Sequence, residues 1–410
     1  MTGHSFPPVD EQLERLRRGA ADLVAEDELR GKLTRSRENG SPLIVKVGFD
    51  PTAPDIHLGH TIVMSKMRDF QDLGHHLVYV IGDFTASIGD PSGRVKTRPP
   101  LDRKQIEENA STYTEQAFKL LDAERTETRF NSEWLGELGT SGVIQLAARY
   151  TVARMLERRD FRERLEKGSP VSVHELLYPL MQAYDSVVLQ ADVELGGTDQ
   201  LFNLNVGRDI MPHYGLEPQV ILTMPLLEGT DGVDKMSKSL DNSVGVTEPP
   251  REIFGKVMSI SDDLMLRWYA LLTDEGPDGA SRLASDVEGG RAHPRELKAA
   301  LAHALVSRFH GRTAADRARD EFEAVFGRKE LPDEIPRVQL RAADTPIWLP
   351  KLIVAAGLAR SNGEARRLVR QGGVRVGGDR VTDEGAEIAA RGEILIQVGK
   401  RRFVTVKFDD

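Results

Sequence analysis

The sequence contains no cysteine among its 410 residues. Disulfides, thiolate metal sites and cysteine nucleophiles are therefore excluded. The sequence also lacks any run of roughly 18 apolar residues, the length that a membrane-spanning helix needs. Its first residues have no apolar core of the kind found in signal peptides. We therefore expect a cytoplasmic protein that does not associate with membranes.

Negative charge outweighs positive charge, because 64 Asp and Glu stand against 55 Lys and Arg and the formal net charge is -9. This balance argues against a protein that binds nucleic acid over its whole surface. From Arg341 onward, however, 13 Lys and Arg stand against 9 Asp and Glu, so this end carries +4 and the rest of the chain -13. An acidic body with a basic end predicts attraction to a polyanion at that end only.

Short apolar runs alternate with amphipathic segments, a pattern that predicts βαβ units and a parallel sheet. The runs at 43–49, 76–84 and 220–227 predict buried strands, and 59–74 predicts the helix between the first two. The other predicted segments are a first helix at 9–24, a glycine-rich loop at 82–94, a mobile loop at 228–248, helices from 249 to 327 and two hairpins at 374–383 and 394–408.

The stretch DPTAPDIHLGH, residues 50–60, places His57 and His60 three apart at a strand-to-helix junction. A metal site is one interpretation, although no Glu follows the first His as in HExxH and no third ligand is evident. A surface histidine pair is another. A helix N-terminus at the carboxyl end of a parallel strand favours phosphate instead. Small nucleotidyltransferases and class I aminoacyl-tRNA synthetases share this pattern.

A second motif, KMSKS at 235–239, follows a later predicted strand. Class I synthetases pair an HIGH-like motif with KMSKS, and small nucleotidyltransferases lack it. Five segments together resemble the bacterial tyrosyl-tRNA synthetases of the KMSKS subgroup: VGFDPTAPDIHLGH, IGDFTASIGDPSGR, LLYPLMQAYDS, ELGGTDQLFN and DGVDKMSKSLDN. The C-terminal segment IWLPKLIVAAGLARSNGEARRLVRQGGVRVGGDRVTD resembles the S4 RNA-binding module of the same family.

The resemblance implies an α/β fold in which a Rossmann-like parallel-sheet catalytic domain is followed by an α-helical domain and a small α+β S4-like domain. We place these at 1–248, 249–330 and 347–410, with a proline-containing linker at 331–346. The implied activity is that of a tyrosine–tRNA ligase with L-tyrosine, ATP accompanied by Mg²⁺, and tRNA(Tyr) as substrates. The implied assembly is a homodimer.

The resemblance also implies a role for individual residues around ATP. Thr52 and His57 would contact the terminal phosphate, and His60 would lie beside the nucleotide. Lys235 and Lys238 would close over the triphosphate. Arg94 and Arg98 could add positive charge. Gly48 and Asp199 match positions that hold the ribose, and Leu226 and Leu227 match those that pack adenine, although core packing explains both leucines equally well. Asp50, Gly59 and Ser237 complete the predicted nucleotide site.

For the amino acid, Tyr178, Gln182 and Asp185 are spaced four and three apart and so share one helical face. They match the family pattern YxxxQxxD. Tyr178, Gln182 and Asp90 would hold the ammonium group, and Asp185 would accept from the phenol hydroxyl. Gln200 would face either the carboxyl group or the carbon skeleton of the amino acid. Many bacterial relatives carry a second hydroxyl-contacting tyrosine where this sequence has Lys46. The sequence therefore does not identify a second residue that contacts the tyrosine hydroxyl.

Exposed arginines of the S4-like segment are the predicted RNA contacts: Arg360, Arg366, Arg367, Arg370 and Arg375. Lys400, Arg401 and Arg402 would add charge at a hairpin tip. Two rivals to the main hypothesis remain. One is the tryptophan enzyme, which shares KMSKS but normally lacks an S4 module. The other is a non-catalytic RNA-binding protein derived from a synthetase.

Overall fold

The computed structural model describes residues 6–52, 54–91, 103–327, 335–341, 346–399 and 402–409. The chain forms two compact units, Met1–Arg319 and Asp320–Asp410. Arg94, Arg98, Lys400 and Arg401 lie outside the described residues.

A six-stranded sheet forms the centre of the first unit, with the strand order β1-β6-β5-β2-β3-β4. All neighbours are parallel except β1, which pairs antiparallel with β6. The predicted parallel α/β sheet is thus confirmed. Its strands are β1 (Asp22–Val24), β2 (Ile44–Phe49), β3 (His76–Ile81), β4 (Thr126–Phe130), β5 (Val193–Gly197) and β6 (Val220–Met224).

Helices connect these strands and continue beyond them to residue 327. They are α1 (Val9–Arg17), α2 (Glu26–Asn39), α3 (Leu58–Asp72), α4 (Asp83–Ile88), α5 (Arg103–Ala117), α6 (Ser132–Leu135), α7 (Gly139–Ala147), α8 (Val152–Met155), α9 (Arg159–Glu166), α10 (Val173–Leu189), α11 (Leu201–Ile210), α12 (Pro250–Ser259), α13 (Asp262–Leu272), α14 (Gly276–Glu288), α15 (Pro294–His310) and α16 (Arg312–Gly327).

The long helix α10 packs its apolar side against the sheet. Leu180, Met181 and Ala183 share one buried cluster with Val78 and Val80 of β3. Ser172 begins the helix as its N-cap, and Glu175 completes the capping box. Because residues four and three apart lie on one side of a helix, this packing fixes where the polar residues of α10 point.

The predicted first helix, 9–24, is wrong in its second half. Helix α1 ends at Arg17, and Gly19 follows with φ +71°, a left-handed conformation that favours glycine. Residues 22–24 form β1 by pairing with β6, about 200 positions away. The predicted loop 82–94 also contains a helix, α4, which starts after Gly82. A Cβ on Gly82 would lie 2.1 Å from Asp50 Oδ1, so this close approach requires glycine.

The second unit contains a five-stranded sheet, ordered β10-β9-β12-β13-β7, and a two-stranded sheet. Both predicted hairpins, β9–β10 and β12–β13, are confirmed. The segment predicted as a linker contains β7, which pairs parallel with β13. The elements are β7 (Arg337–Arg341), β8 (Ile347–Trp348), α17 (Leu349–Ala355), α18 (Asn362–Arg370), β9 (Val374–Val376), β10 (Asp379–Val381), β11 (Glu387–Ile388), β12 (Gly392–Val398) and β13 (Arg402–Asp409).

Candidate active site

A cavity of about 290 Å³ opens at the carboxyl ends of the parallel strands. Its position follows from the topology, because successive parallel strands end at the same edge of the sheet. Of the predicted nucleotide and amino-acid residues that the structure describes, all except Lys238 line it: Gly48, Asp50, Thr52, His57, Gly59, His60, Asp90, Tyr178, Gln182, Asp185, Asp199, Gln200, Leu226, Leu227, Lys235 and Ser237.

His57 and His60 are held by the first turn of α3. His57 is the N-cap, and its Nδ1 accepts a hydrogen bond from the Gly59 N–H over 3.2 Å. The Nδ1 atom of His60 accepts from the His57 N–H, also over 3.2 Å. A neutral ring whose Nδ1 accepts carries its proton on Nε2. Both rings therefore present an Nε2–H donor.

The two histidines are also kept neutral. Burial, followed by the neighbouring His60 ring and by the charges of Lys238 and Lys235, lowers the pKa of His57 to about 2. Burial lowers the pKa of His60 to about 4. The ring centroids lie 3.9 Å apart. A Cβ on Gly59 would come within 3.0 Å of the His57 ring, so this glycine makes room for the imidazole.

Residues 244–246, which follow KMSKS in the same loop, pair with residues 56–58 at the start of HLGH. The Leu58 N–H donates to the Val244 carbonyl over 2.9 Å, and the Val246 N–H donates to the Ile56 carbonyl over 3.0 Å. Within the loop, the buried Asn242 side chain accepts from the Ser237 N–H over 2.8 Å and donates to Asp231 over 2.7 Å. These bonds bring two motifs that are almost 180 residues apart to the same cavity.

The two signature lysines have carboxylate partners. Lys235 Nζ lies 3.0 Å from Asp199 Oδ2, at the position matched to the ribose. Lys238 forms an ion pair with Asp55, and it is the one predicted catalytic residue that the structure does not bring to the cavity wall. Both lysine side chains are at least one-third exposed, so these ion pairs contribute little stability.

The predicted amino-acid residues on α10 point into the cavity from one side. The hydroxyl of Tyr178 donates to Asp50 Oδ2 over 2.9 Å, and Thr85 donates to the other Asp50 oxygen over 2.7 Å. Asp50, which the sequence assigned to the nucleotide, therefore contacts the amino-acid residue Tyr178. Asp90 accepts a bond of 2.8 Å from Gln200 Nε2, so these two predicted substrate residues orient each other.

Asp185 lies at the buried end of this face, and two residues that sequence reasoning missed bond to it. Trp134 Nε1 donates over 2.8 Å and Asn131 Nδ2 over 3.4 Å. Burial raises the pKa of Asp185 to about 6, while Lys46, Trp134 and Asn131 oppose the rise. Asn131 directly follows β4, and a polar side chain at the carboxyl end of a parallel strand is the signal that could have identified it.

Lys46 is fully buried and paired with Glu194, and it lies outside the set of residues that line the cavity. In the described part of the chain, no group of three or more His, Cys, Asp or Glu side chains is placed to hold a metal ion. None of the described helices is long and apolar enough to span a membrane.

In the second unit, the five predicted RNA-contacting arginines are all exposed. Arg366 and Arg370, on α18, both pair with Glu384 over 3.0 Å. Arg370 and then Arg366 lower the pKa of the Glu384 carboxyl. Arg375 donates to the Gly378 carbonyl, and Arg402 donates to the Leu358 carbonyl.

Comparisons with known proteins agree with this geometry. The model of the family "tRNA synthetases class I (W and Y)" matches residues 38–327, and the S4 domain model matches 347–394. The chain is 55% identical to the "Tyrosine--tRNA ligase" of Syntrophotalea carbinolica over 402 residues, which cover 98% of each protein. It is 53% identical to the protein of the same name from Geobacter sulfurreducens over 400 residues, 98% of this chain and 99% of that protein.

Among solved structures, the tyrosyl-tRNA synthetase of Archaeoglobus fulgidus, complexed with L-tyrosine, superposes with a TM-score of 0.61 at 26% identity. The match covers 76% of this chain and 100% of that one. The family model spans more than half of the chain, and the relatives match it almost end to end. The chain therefore belongs to the class I tRNA synthetases of the tryptophan and tyrosine family, and carries an S4 domain at its C-terminal end.

Proposed function

We propose that the chain is a tyrosine–tRNA ligase, which joins L-tyrosine to ATP as tyrosyl-adenylate with release of pyrophosphate and then transfers tyrosine to the 3′-terminal ribose of tRNA(Tyr). The observation that carries the proposal is that one cavity holds the His57–His60 pair, Lys235 and the buried Asp185 carboxylate. Hydrogen-bond donors for phosphate and a hydrogen-bond acceptor for a phenol thus face the same cavity. The names of the curated relatives support this reaction.

In the first step, a tyrosine carboxylate oxygen attacks the α-phosphorus of ATP and pyrophosphate leaves. The carboxylate is already ionised near neutral pH, so no general base is needed. The obstacle is the repulsion between the carboxylate and the triphosphate. Donors fixed in advance toward the developing charge lower such a barrier. His57 and His60 supply neutral Nε2–H donors, Thr52 a hydroxyl, and Lys235 and Lys238 the positive charge.

The ribose and the adenine of ATP contact the remaining predicted residues of the nucleotide site. Asp199 and Gly48 hold the ribose, and Leu226 and Leu227 pack the adenine. Gly197 helps to form this surface, because a Cβ there would lie 2.7 Å from Asp199 Oδ1 and 2.9 Å from Leu226 Cδ2. Mg²⁺ enters bound to the phosphates as part of the ATP substrate, since phosphate oxygens are its usual ligands.

The tyrosine side chain points toward Asp185, whose carboxylate accepts from the phenol hydroxyl beside Asn131. Tyr178, Gln182 and Asp90 receive the ammonium group, and Gln200 faces the carboxyl group. A site with a buried acceptor discriminates against a ligand that lacks the hydroxyl by roughly 10⁴–10⁵. Phenylalanine would leave unpaired the acceptor site that Asp185 presents to the cavity beyond its bonds from Trp134 and Asn131.

Binding of tRNA is the task that we assign to residues 347–410, with residues 1–248 as the catalytic domain, 249–330 as a helical domain and 331–346 as the connection. The five exposed arginines support contact with phosphates, and such contact weakens as salt rises. If truncation before Thr345 left tRNA charging unchanged while amino-acid activation persisted, this assignment would be wrong.

A cytoplasmic homodimer is the assembly that we propose. The candidates for the self-association surface are the exposed large apolar side chains between positions 130 and 188, six of the nine among the described residues: Phe130, Ile144, Val152, Leu165, Val173 and Val188. Light scattering of the purified chain tests this assembly, with Ile144→Asp as the disrupting variant and Val233→Asp as the control at an exposed apolar site elsewhere.

The deciding experiment is pyrophosphate exchange with ATP and each amino acid alone. The proposal requires exchange with tyrosine and little with tryptophan or phenylalanine. Exchange with tryptophan would assign the chain to the other branch of its family. No exchange with any amino acid would leave the non-catalytic RNA-binding hypothesis.

A further inference from the structure

A buried ion pair joins two neighbouring strands beneath the tyrosine pocket. Lys46 on β2 and Glu194 on β5 are paired in register, with Nζ and Oε1 2.9 Å apart. Their side chains are 0% and 1% exposed. Burying two charges is costly, and a well-packed apolar pair is often at least as stable. Stability alone therefore gives little reason for charge at this place.

Both charged groups of the pair are surrounded by hydrogen-bonding partners. Lys46 Nζ also donates to the Gln182 main-chain oxygen over 3.0 Å and to Ser186 Oγ over 2.8 Å. Glu194 accepts from Ser186 Oγ over 3.1 Å, from Gln219 Nε2, and from Gln182 Nε2 over 3.2 Å. Of these partners, Gln182 is the one that lines the cavity.

We infer that the Lys46–Glu194 pair positions Gln182 so that its amide oxygen faces the amino-acid ammonium. A carboxylate accepts hydrogen bonds and cannot donate, so Gln182 must turn its NH₂ group toward Glu194. The amide oxygen then remains for the cavity, where it accepts from an ammonium. Lys46 Nζ, 2.9 Å from Glu194 Oε1, balances the charge of this carboxylate within the core. This inference rests on the proposed function, because it names the ammonium of tyrosine as the group received.

The test variant is Lys46→Met combined with Glu194→Gln. It removes both charges and keeps a hydrogen-bonding group of the same shape at position 194, and the neutral amide there no longer dictates the orientation of Gln182. Both charges are removed together, because Glu194→Gln alone would leave the buried Lys46 ammonium without its carboxylate partner. The control is Lys32→Met, which removes another buried lysine, paired with Asp192 over 2.9 Å and away from the cavity.

Pyrophosphate exchange gives KM for tyrosine and for ATP, and 3-(4-hydroxyphenyl)propionate, which lacks the ammonium, is measured as an inhibitor. We expect KM for tyrosine to rise about 10-fold, the size of a weakened hydrogen bond to a charged group. KM for ATP, kcat and inhibition by the analogue should stay within about 2-fold, as should all four values in the control.

An unchanged KM for tyrosine overturns the inference, and so does an equal loss of affinity for the analogue, because both results reduce the pair to a structural role. An equal rise in KM in the Lys32→Met control overturns it too. A wild-type chain without tyrosine-dependent exchange instead refutes the proposed function itself. The wild-type measurement thus separates the two failures.

Discussion

The indole N–H of Trp134 donates a 2.8 Å hydrogen bond to the buried carboxylate of Asp185. Asn131 donates to the other oxygen and itself lines the cavity. Asp185 is the proposed acceptor for the tyrosine hydroxyl. Trp134 therefore holds its carboxylate from outside the set of cavity-lining residues, and Asn131 lies beside it in the cavity wall. Because Lys46 occupies the position of the second hydroxyl-contacting tyrosine of many relatives, the sequence identified no second contact. The structure places Asn131 beside Asp185.

Replacing Asp185 with Ala should reduce discrimination between tyrosine and phenylalanine by about 10²-fold or more, because the cavity no longer contains an acceptor that phenylalanine leaves unpaired. The measurement is kcat/KM for both amino acids in pyrophosphate exchange. Unchanged selectivity would remove Asp185 from hydroxyl recognition. Asp209→Ala, at a carboxylate outside the cavity, is the control.

Replacing Asp185 with Asn should stabilise the fold near pH 7.5. The folded pKa of about 6 lies above the ordinary aspartate value of 3.8, so the folded state binds the proton more tightly and loses stability as pH rises from about 4 to 6. The free energy of unfolding that is lost over this pH range is at most about 3 kcal/mol. We expect urea unfolding to show a gain for Asp185→Asn at pH 7.5 that shrinks toward zero at pH 4. An equal effect at both pH values would contradict the buried-charge explanation.

His57→Asn and His57→Gln should separate the capping role of His57 from its catalytic role. Asn is a good N-cap and can replace Nδ1 as acceptor for the Gly59 N–H, but it has no donor at the Nε2 position. Gln reaches that position with its amide N–H. We expect His57→Asn to leave the free energy of unfolding unchanged from the wild-type value. Its rate of amino-acid activation should fall by about 10²–10³-fold, the loss typical of one transition-state donor. His57→Gln should lose less, and equal losses would argue against the Nε2–H donor.

Replacing Glu384 with Gln should strengthen tRNA binding by about 2- to 5-fold, because Arg366 and Arg370 would be released from an exposed ion pair. The reverse variant, Arg366→Ala with Arg370→Ala, should weaken tRNA binding. The slope of the logarithm of the binding constant against the logarithm of salt concentration should become shallower by roughly 0.7–0.9 for each phosphate that the protein no longer neutralises. Filter binding across a salt series measures both. Glu393→Gln removes the same charge from β12 and should have a smaller effect, and equal effects would mean that only net charge matters.

The sequence by itself determined the features that depend on local geometry. The spacing of Tyr178, Gln182 and Asp185 places them on one side of a helix wherever that helix packs, because the α-helical repeat is fixed. The alternation of apolar runs and helices in turn determines that strands end at a common edge, which brings the residues after β2 and β5 together.

Tertiary structure decided the features that depend on residues distant in the chain. The three residues of β1 read as a continuation of the first helix, and only the distant β6 makes them a strand. Part of the predicted linker becomes β7 for the same reason, through β13. Lys46 looked like a missing contact until the fold placed Glu194 beside it. Such pairings depend on partners far away along the chain, which local pattern and propensity do not encode.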